Sequence, residues 1–271
     1  MLSLTSPPSA GFFDSGVGGL TVVEAVQNVN PDISYHYFGD TARCPYGDRP
    51  LDEVKEFALQ AVDFLVNKGS DPIVMACNIS SSIALDTARQ RYPERTILGL
   101  INQPLVEEVR SVSDGVVGVI ATAGTVKSRR YPGALARADL DVHQQACSPL
   151  VPLVEEGHYS GEIVENTLEP LLEPLLEKNM DTLVLGCTHY PLLGPALKAG
   201  LPPSIRIIDP GRIMASIVQR HVTPRNGQSP TRQFYTSGDP GSVIHVLQSD
   251  FNHDQPTVKK VSISEKGYQP S

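Results

Sequence analysis

Two cysteines stand at matching places in this 271-residue chain. The stretches IVMACNIS (73–80) and LVLGCTHY (183–190) each pass from an apolar run through a small residue to a Cys, then to polar residues that can open a helix. Apolar runs of this kind read as strands buried on both faces. In open parallel sheets, ligands sit beyond the carboxyl ends of the strands, so the residues that follow each run are where chemistry is expected. They are Asp14-Ser15-Gly16, Gly39-Asp40-Thr41, Cys77-Asn78, Ala121-Thr122 and Cys187-Thr188-His189. Singly, a strand-end Cys is ordinarily packing, an Asp there an Asx-turn or helix cap, and a His a capping or pairing group. Jointly, two thiols, two carboxylates, an imidazole and several hydroxyls and amides on one edge describe an active site.

Two facing thiols suit one task well: removing the α-proton of an amino acid from one face and returning a proton to the other. A single base does not easily reach both faces. A thiolate and a thiol on opposite sides of Cα do so by exchanging roles. A thiol pKa near ~8.5 is tunable toward working pH by donors, cations or helix N-termini, and helices starting just after Cys77 and Cys187 are expected to stabilise each thiolate. Asp14 and His189 are placed to hold or relay protons for the neighbouring sulfur. No cofactor is demanded, since no Lys stands at a strand end to form a pyridoxal Schiff base. Zinc on Cys77, Cys187 and His189 is the competing use of the same side chains, but Cys-x-His is not a usual ligand spacing.

The glycine-rich stretch Asp14–Leu20 leads into a helix and is expected to offer backbone N–H groups to a carboxylate-sized anion. It is not a GxGxxG fingerprint, because Thr21 stands where the last Gly is needed. The chain also lacks a P-loop, a GxSxG elbow and an HExxH pair. Arg43-Cys44-Pro45-Tyr46-Gly47 reads as a tight loop able to present backbone donors to a ligand.

These residues need a scaffold that gathers strand ends. Strand candidates fall at 10–14, 34–40, 71–77, 96–100, 115–121, 139–145, 181–187, 204–209 and 232–237. Amphipathic helical patterns lie between them, such as 51–68, closed by Gly69, and 162–178, where Pro170 and Pro174 predict a break or kink. Repeated β then α predicts an α/β fold with mainly parallel sheets and helices on both faces. The similar Cys-bearing segments suggest two copies of one unit: a discontinuous first lobe, 7–101 plus 209–271, and a second lobe, 102–208. The tail Val261–Ser271 is polar and is expected to be loosely held.

Composition narrows the class. Hydrophobic residues at 40% and charged residues at 19% are globular values. A net charge of −8 with no Lys/Arg-rich run disfavours nucleic acid or an anionic membrane as partner. No apolar run is long enough to span a bilayer, and the opening MLSLTSPPSAGFFDSG lacks the regions of a signal peptide. A cytoplasmic, reducing location is the expectation, in which the four cysteines, none in a CxxC pair, are buried or catalytic thiols rather than a disulfide framework.

FDSGVGGLTVV (13–23), YFGDTARCPYG (37–47), VMACN (74–78), GVIATAGTVKS (118–128), PLVPLVEEG (149–157) and LGCTHYPLL (185–193) together resemble the aspartate/glutamate racemase family, in its order and over most of the chain. The resemblance implies two pseudo-symmetric α/β lobes with the substrate between them. It implies cofactor-independent interconversion of L- and D-glutamate by two thiols, supplying D-glutamate for peptidoglycan, in a protein able to form homodimers. Cys77 and Cys187 match the thiols acting from the two faces, Asp14 and His189 the groups assisting them, and Asp40 and Glu155 acidic residues in supporting roles. Asp14, Ser15, Pro45, Tyr46, Gly47, Asn78, Thr122, Thr188 and His189 match substrate-binding positions. Ile79 also falls at such a position but departs from the family, which usually has Thr there. A lost hydroxyl predicts weaker binding or altered selectivity with the thiol chemistry intact. The alternatives are a racemase for another acidic amino acid, such as aspartate, and a binding or regulatory protein that holds such an amino acid without turning it over.

Overall fold

A computed structural model describes residues 9–222, 229–264 and 267–270, so positions 7, 8 and 223–228 of the expected first lobe and 265, 266 and 271 of its tail lie outside the described residues. The first part of the chain alternates β1 (Ala10–Asp14), α1 (Leu20–Val29), β2 (Tyr35–Gly39), α2 (Leu51–Asn67), β3 (Ile73–Met75), α3 (Asn78–Arg91) and β4 (Ile97–Gly99). The second runs through α4 (Gln103–Val112), β5 (Val116–Ala121), α5 (Ala123–Ser128), α6 (Arg130–Leu135), β6 (Asp141–Ala146), α7 (Leu150–Glu155), α8 (Glu162–Leu176), β7 (Thr182–Gly186), α9 (Gly194–Gly200) and β8 (Arg206–Ile208). The chain then passes through α10 (Pro210–Gln219), β9 (Arg232–Thr236), α11 (Pro240–Ser249), β10 (Val258–Ser264) and β11 (Gly267–Pro270).

The strands form two sheets, ordered β11-β10-β9-β2-β1-β3-β4 and β6-β5-β7-β8. The unit β2-β1-β3-β4 has the same strand order as β6-β5-β7-β8, with β3 and β7 in corresponding positions. Every pairing is parallel except β10 with β11. In each unit the order reverses beside the first strand, between β1 and β3 and between β5 and β7, and crevices at such switch points receive ligands.

Alternation along each strand feeds helices on both faces. Phe12 packs with α1, α10 and α11, whereas its neighbour Phe13 packs with α2 and α3. In the second sheet Leu183 and Leu185 face α7, α8 and α9, and Val184 faces α4 and α6. Fully burying one such side chain contributes about 1.5–3 kcal/mol. Helix α2 ends as its glycine predicts: Gly69 has φ +75°, its N–H reaches the Val66 carbonyl at 2.8 Å, and the Ser70 N–H reaches that of Leu65 at 3.0 Å.

Two expectations need correction. The break expected at Pro170 and Pro174 does not occur, since helix α8 continues through both. Both prolines lie on its exposed face, so the carbonyls of 166 and 170 that lose an amide partner are open to water, while Val164, Leu168, Leu172 and Leu175 anchor the opposite face. The described residues of the tail are paired rather than loose: 261–264 of β10 and 267–270 of β11 form an antiparallel ladder, with Tyr268 opposite Ile263.

Candidate active site

The carboxyl ends of both sheets face one cleft of about 510 Å³ of empty volume, mouth included. Cys77 from the first sheet and Cys187 from the second both line it. Ser15, Pro45, Tyr46, Gly47, Asn78, Ile79, Thr122, Thr188 and His189 line it too. Asp14 lies directly behind this wall, fully buried.

Cys77 is the N-cap of α3, in extended backbone conformation. Its Sγ lies 3.6 Å from Ser15 Oγ, which is 3.5 Å from Asp14 Oδ1. The Asp14 carboxylate also accepts from Gly16 N at 2.8 Å and from Thr188 Oγ1 of the opposite lobe at 3.0 Å. Burial pushes the Cys77 thiol up to about 12, the Asp14 charge adds to the effect, and hydrogen bonds from Ser80 and Ser15 oppose it. Burial likewise raises the Asp14 carboxyl above its ordinary value, against the lowering influence of His189.

Cys187 is served differently. No α-helix opens directly after it; the chain makes a 3₁₀ turn over Tyr190–Leu193, with Pro191 at its start, before α9 begins at Gly194. The expected helix terminus is replaced by an imidazole. His189 Nδ1 lies 3.6 Å from Cys187 Sγ, and His189 Nε2 lies 2.5 Å from Glu155 Oε1 at the end of α7. Burial disfavours the imidazolium, but Cys187 and Glu155 together outweigh it, and the His189 pKa stands well above its ordinary value.

The glycine stretch has another use than the one its sequence suggests. Of Asp14–Leu20 only Ser15 lines the cleft, and Gly16 N is spent on Asp14. The glycines instead let the lobes touch. A Cβ on Gly18 would sit 2.7 Å from both His189 Nδ1 and Thr188 Oγ1, and one on Gly16 would sit 2.8 Å from Glu155 Oε1. Hydrogen bonds cross the same seam from Thr21 Oγ1 to the Thr188 carbonyl at 3.1 Å, from Tyr131 OH to Asn78 Oδ1 at 2.6 Å, from Gly124 N to the Gly47 carbonyl at 2.8 Å, and from Ser148 Oγ to Asp48 Oδ1 at 2.9 Å.

Asp40 and Glu155 do not line the cleft. Asp40 is fully buried and accepts from Arg43 Nε at 2.7 Å, Ser237 Oγ at 2.6 Å and Tyr46 OH. Asp40 thus ties Arg43 and Tyr46 of the loop after β2 to Ser237, and Glu155 pairs with His189. Ile79 is 3% exposed and its Cδ1 packs so closely on Gly124 that a Cβ there would come within 2.7 Å. The lining also includes Cys44, Asp48, Thr125, Ser148, Val151, Pro152 and Gly186. Ser148 lies just beyond β6, where the strand-end rule looks; Thr125, in the first turn of α5, carries no such mark. Burial raises the Cys44 thiol far above its ordinary range, with Glu155 adding to the effect, which makes it a poor nucleophile. Among the described residues, no Lys or Arg lines the cleft, no group of three His, Cys, Asp or Glu side chains is arranged to hold a metal ion, and no helix is long and apolar enough to cross a membrane.

Two α/β units bring a thiol each to one shared cleft, and residues 20–218 match the Asp/Glu/Hydantoin racemase family model. The chain belongs to that family. It is similar to the glutamate racemase of Oceanobacillus iheyensis, 37% identical over 94% of this chain and 97% of that one. Among solved structures it resembles a glutamate racemase isoform of Bacillus anthracis, with TM-score 0.88, 34% identity and coverage of 96% and 99%. It also resembles the glutamate racemase of Francisella tularensis in complex with D-glutamate, with TM-score 0.87, 30% identity and coverage of 94% and 98%.

Proposed function

We propose that this chain interconverts L- and D-glutamate, with Cys77 and Cys187 exchanging the roles of base and acid. The observation that carries the reading is the convergence of both sulfurs, from matched strands of two sheets, on one cleft. The α-proton leaves to the sulfur on one face, and the sulfur opposite delivers its own proton to the carbanion. Burial keeps Cys77 protonated, ready to act as the acid. The Ser15–Asp14 pair behind it serves as its relay. Cys187 exchanges its proton with His189, which Glu155 holds in place. With no Lys or Arg in the wall, the substrate carboxylates are held by Ser15, Asn78, Thr122 and Thr188 and by backbone N–H groups at the start of α3.

The lobes are 7–101 plus 209–271 and 102–208. The product, D-glutamate, supplies peptidoglycan synthesis in the cytoplasm. Glutamate is preferred over aspartate because the matched relatives of high coverage are glutamate racemases. The test is α-deuterium incorporation in deuterated water, run on both enantiomers of glutamate and of aspartate. Both glutamate enantiomers are expected to invert with uptake of solvent deuterium, much faster than aspartate. Glutamate that binds but gains no deuterium would leave a binding protein instead, and faster exchange of aspartate would reassign the substrate.

A further inference from the structure

The C-terminal strand reaches the substrate loop through one side chain. The loop after β2 contributes Cys44, Pro45, Tyr46, Gly47 and Asp48 to the cleft wall, and Arg43 stands at its root. Arg43 is largely buried, with 13% of its side chain exposed, and each part of its guanidinium is used. Nε donates to Asp40 at 2.7 Å, one terminal nitrogen donates to Gln60 Oε1 of α2 at 3.0 Å, and the other donates to the Tyr268 hydroxyl of β11. Its central carbon lies 3.6 Å from the Phe57 ring centroid and 4.9 Å from that of Tyr268. The Tyr268 ring is itself seated on Phe38 at 4.5 Å and near Phe64 at 6.2 Å. Asp40, which receives Arg43, also receives the Tyr46 hydroxyl. A continuous hydrogen-bonded chain, Tyr268–Arg43–Asp40–Tyr46, therefore links the last strand to the cleft wall.

We infer that Tyr268 is a positioning residue for the racemisation site: it fixes Arg43, and through Arg43 the loop 44–48, without touching substrate. The inference rests on the reading that this loop holds the substrate. A tyrosine that only covered the apolar face of α2 would need its ring alone. The hydroxyl aimed at a guanidinium that is already engaged by Asp40 and Gln60 completes a fixed geometry instead. Steady-state kinetics of full-length Tyr268→Phe, which keeps the ring, and Tyr268→Ala test it, alongside thermal midpoints.

Tyr268→Phe is expected to raise KM about five-fold, the size one lost hydrogen bond commonly produces, with kcat within about two-fold. In an Arg43→Lys background the same step shrinks to less than about two-fold, because the partner is gone. A purely structural tyrosine would lower the midpoint and leave KM alone. Unchanged KM in Tyr268→Phe, or an undiminished step in the Arg43→Lys background, overturns the inference, and Tyr268→Phe suffices if the alanine variant does not fold. Gly47→Ala, whose Cβ would come within 2.8 Å of Thr122, separates the two layers. If it raises KM while Tyr268→Phe does not, only the role of Tyr268 falls. If neither moves KM, the reading of the loop falls with it.

Discussion

Replacing Glu155 by Gln tests the proton reservoir behind Cys187 without changing its shape. His189 is 3% exposed, and its Nε2 lies 2.5 Å from the Glu155 carboxylate. Burial works against the imidazolium, and Cys187 and Glu155 are what sustain it. An opposite charge this close moves a pKa by roughly 1–3 units. The Glu155 side chain is 31% exposed, so water screens part of the interaction and the lower end applies: about one unit, or ~1.4 kcal/mol. Gln keeps a hydrogen bond to Nε2 but no charge. The alkaline limb of kcat/KM against pH, assigned to loss of the His189 proton, should therefore move down by about one pH unit, with a roughly ten-fold loss of kcat/KM above it. Enantiomers have equal free energy, so kcat/KM must fall by the same factor in both directions, and any asymmetry shows in the primary isotope effects. Circular dichroism of the glutamate pool, followed across pH in each direction, reads this directly. An alkaline limb that stays in place in Glu155→Gln would refute the role given to the His189–Glu155 pair.

Other perturbations address the seam, the pocket and the buried protons. Gly18→Ala places a methyl 2.7 Å from His189 Nδ1 and Thr188 Oγ1; it should cost about 1–3 kcal/mol of stability in urea titrations and lower kcat/KM as His189 is displaced. Wild-type kinetics would contradict the close approach of the lobes. Ile79→Thr restores a hydroxyl to the cleft wall and removes an apolar contact with Gly124, so KM for glutamate should fall about two- to ten-fold while the thermal midpoint drops; an unchanged KM removes that position from substrate binding. The native chain also holds protons that the unfolded chain releases. His189 does so from its ordinary value of 6.5 upward, and the buried Cys77 and Cys147 do so between ordinary thiol values near 9.0 and about 12. Buried tyrosines such as Tyr37 and Tyr190 act in the same direction. Native excess protonation means that stability falls as pH rises, by up to ~1.4 kcal/mol per pH unit for each group inside its window. Denaturant midpoints that stay level from pH 9 to 11 would contradict those shifts.

Much of this was legible because the site lies on strand ends. Runs such as IVM in β3 and TLVLG in β7 are buried on both faces, and a run with no polar alternation marks both the strand and the residue that leaves it. Physical context decided the remainder. VKKVSIS of β10 escapes a search for apolar runs because Lys259 and Lys260 are exposed between the buried Val258 and Val261, the mixed pattern of a strand near a sheet edge. Tyr268 likewise gives no hint of Arg43, since the pairing depends on β11 folding back. The glycines of 16–19 look alike whether they cradle an anion or admit a neighbouring lobe, and only the position of His189 separates these uses. Asp40 was identifiable as a strand-end carboxylate, but its three donors come from Arg43, Tyr46 and the distant Ser237, and local sequence does not show that they leave it no free face toward the cleft.

In the proposed mechanism one α-carbon is worked from two sides by sulfurs of different lobes, so each single-thiol variant should be inactive. Cys77→Ala and Cys187→Ala, each shown to be folded by its thermal transition, are incubated with L- and with D-glutamate in deuterated water. Neither variant is expected to invert either enantiomer. Near-normal inversion by either one would remove that sulfur from the reaction and contradict the two-sided mechanism.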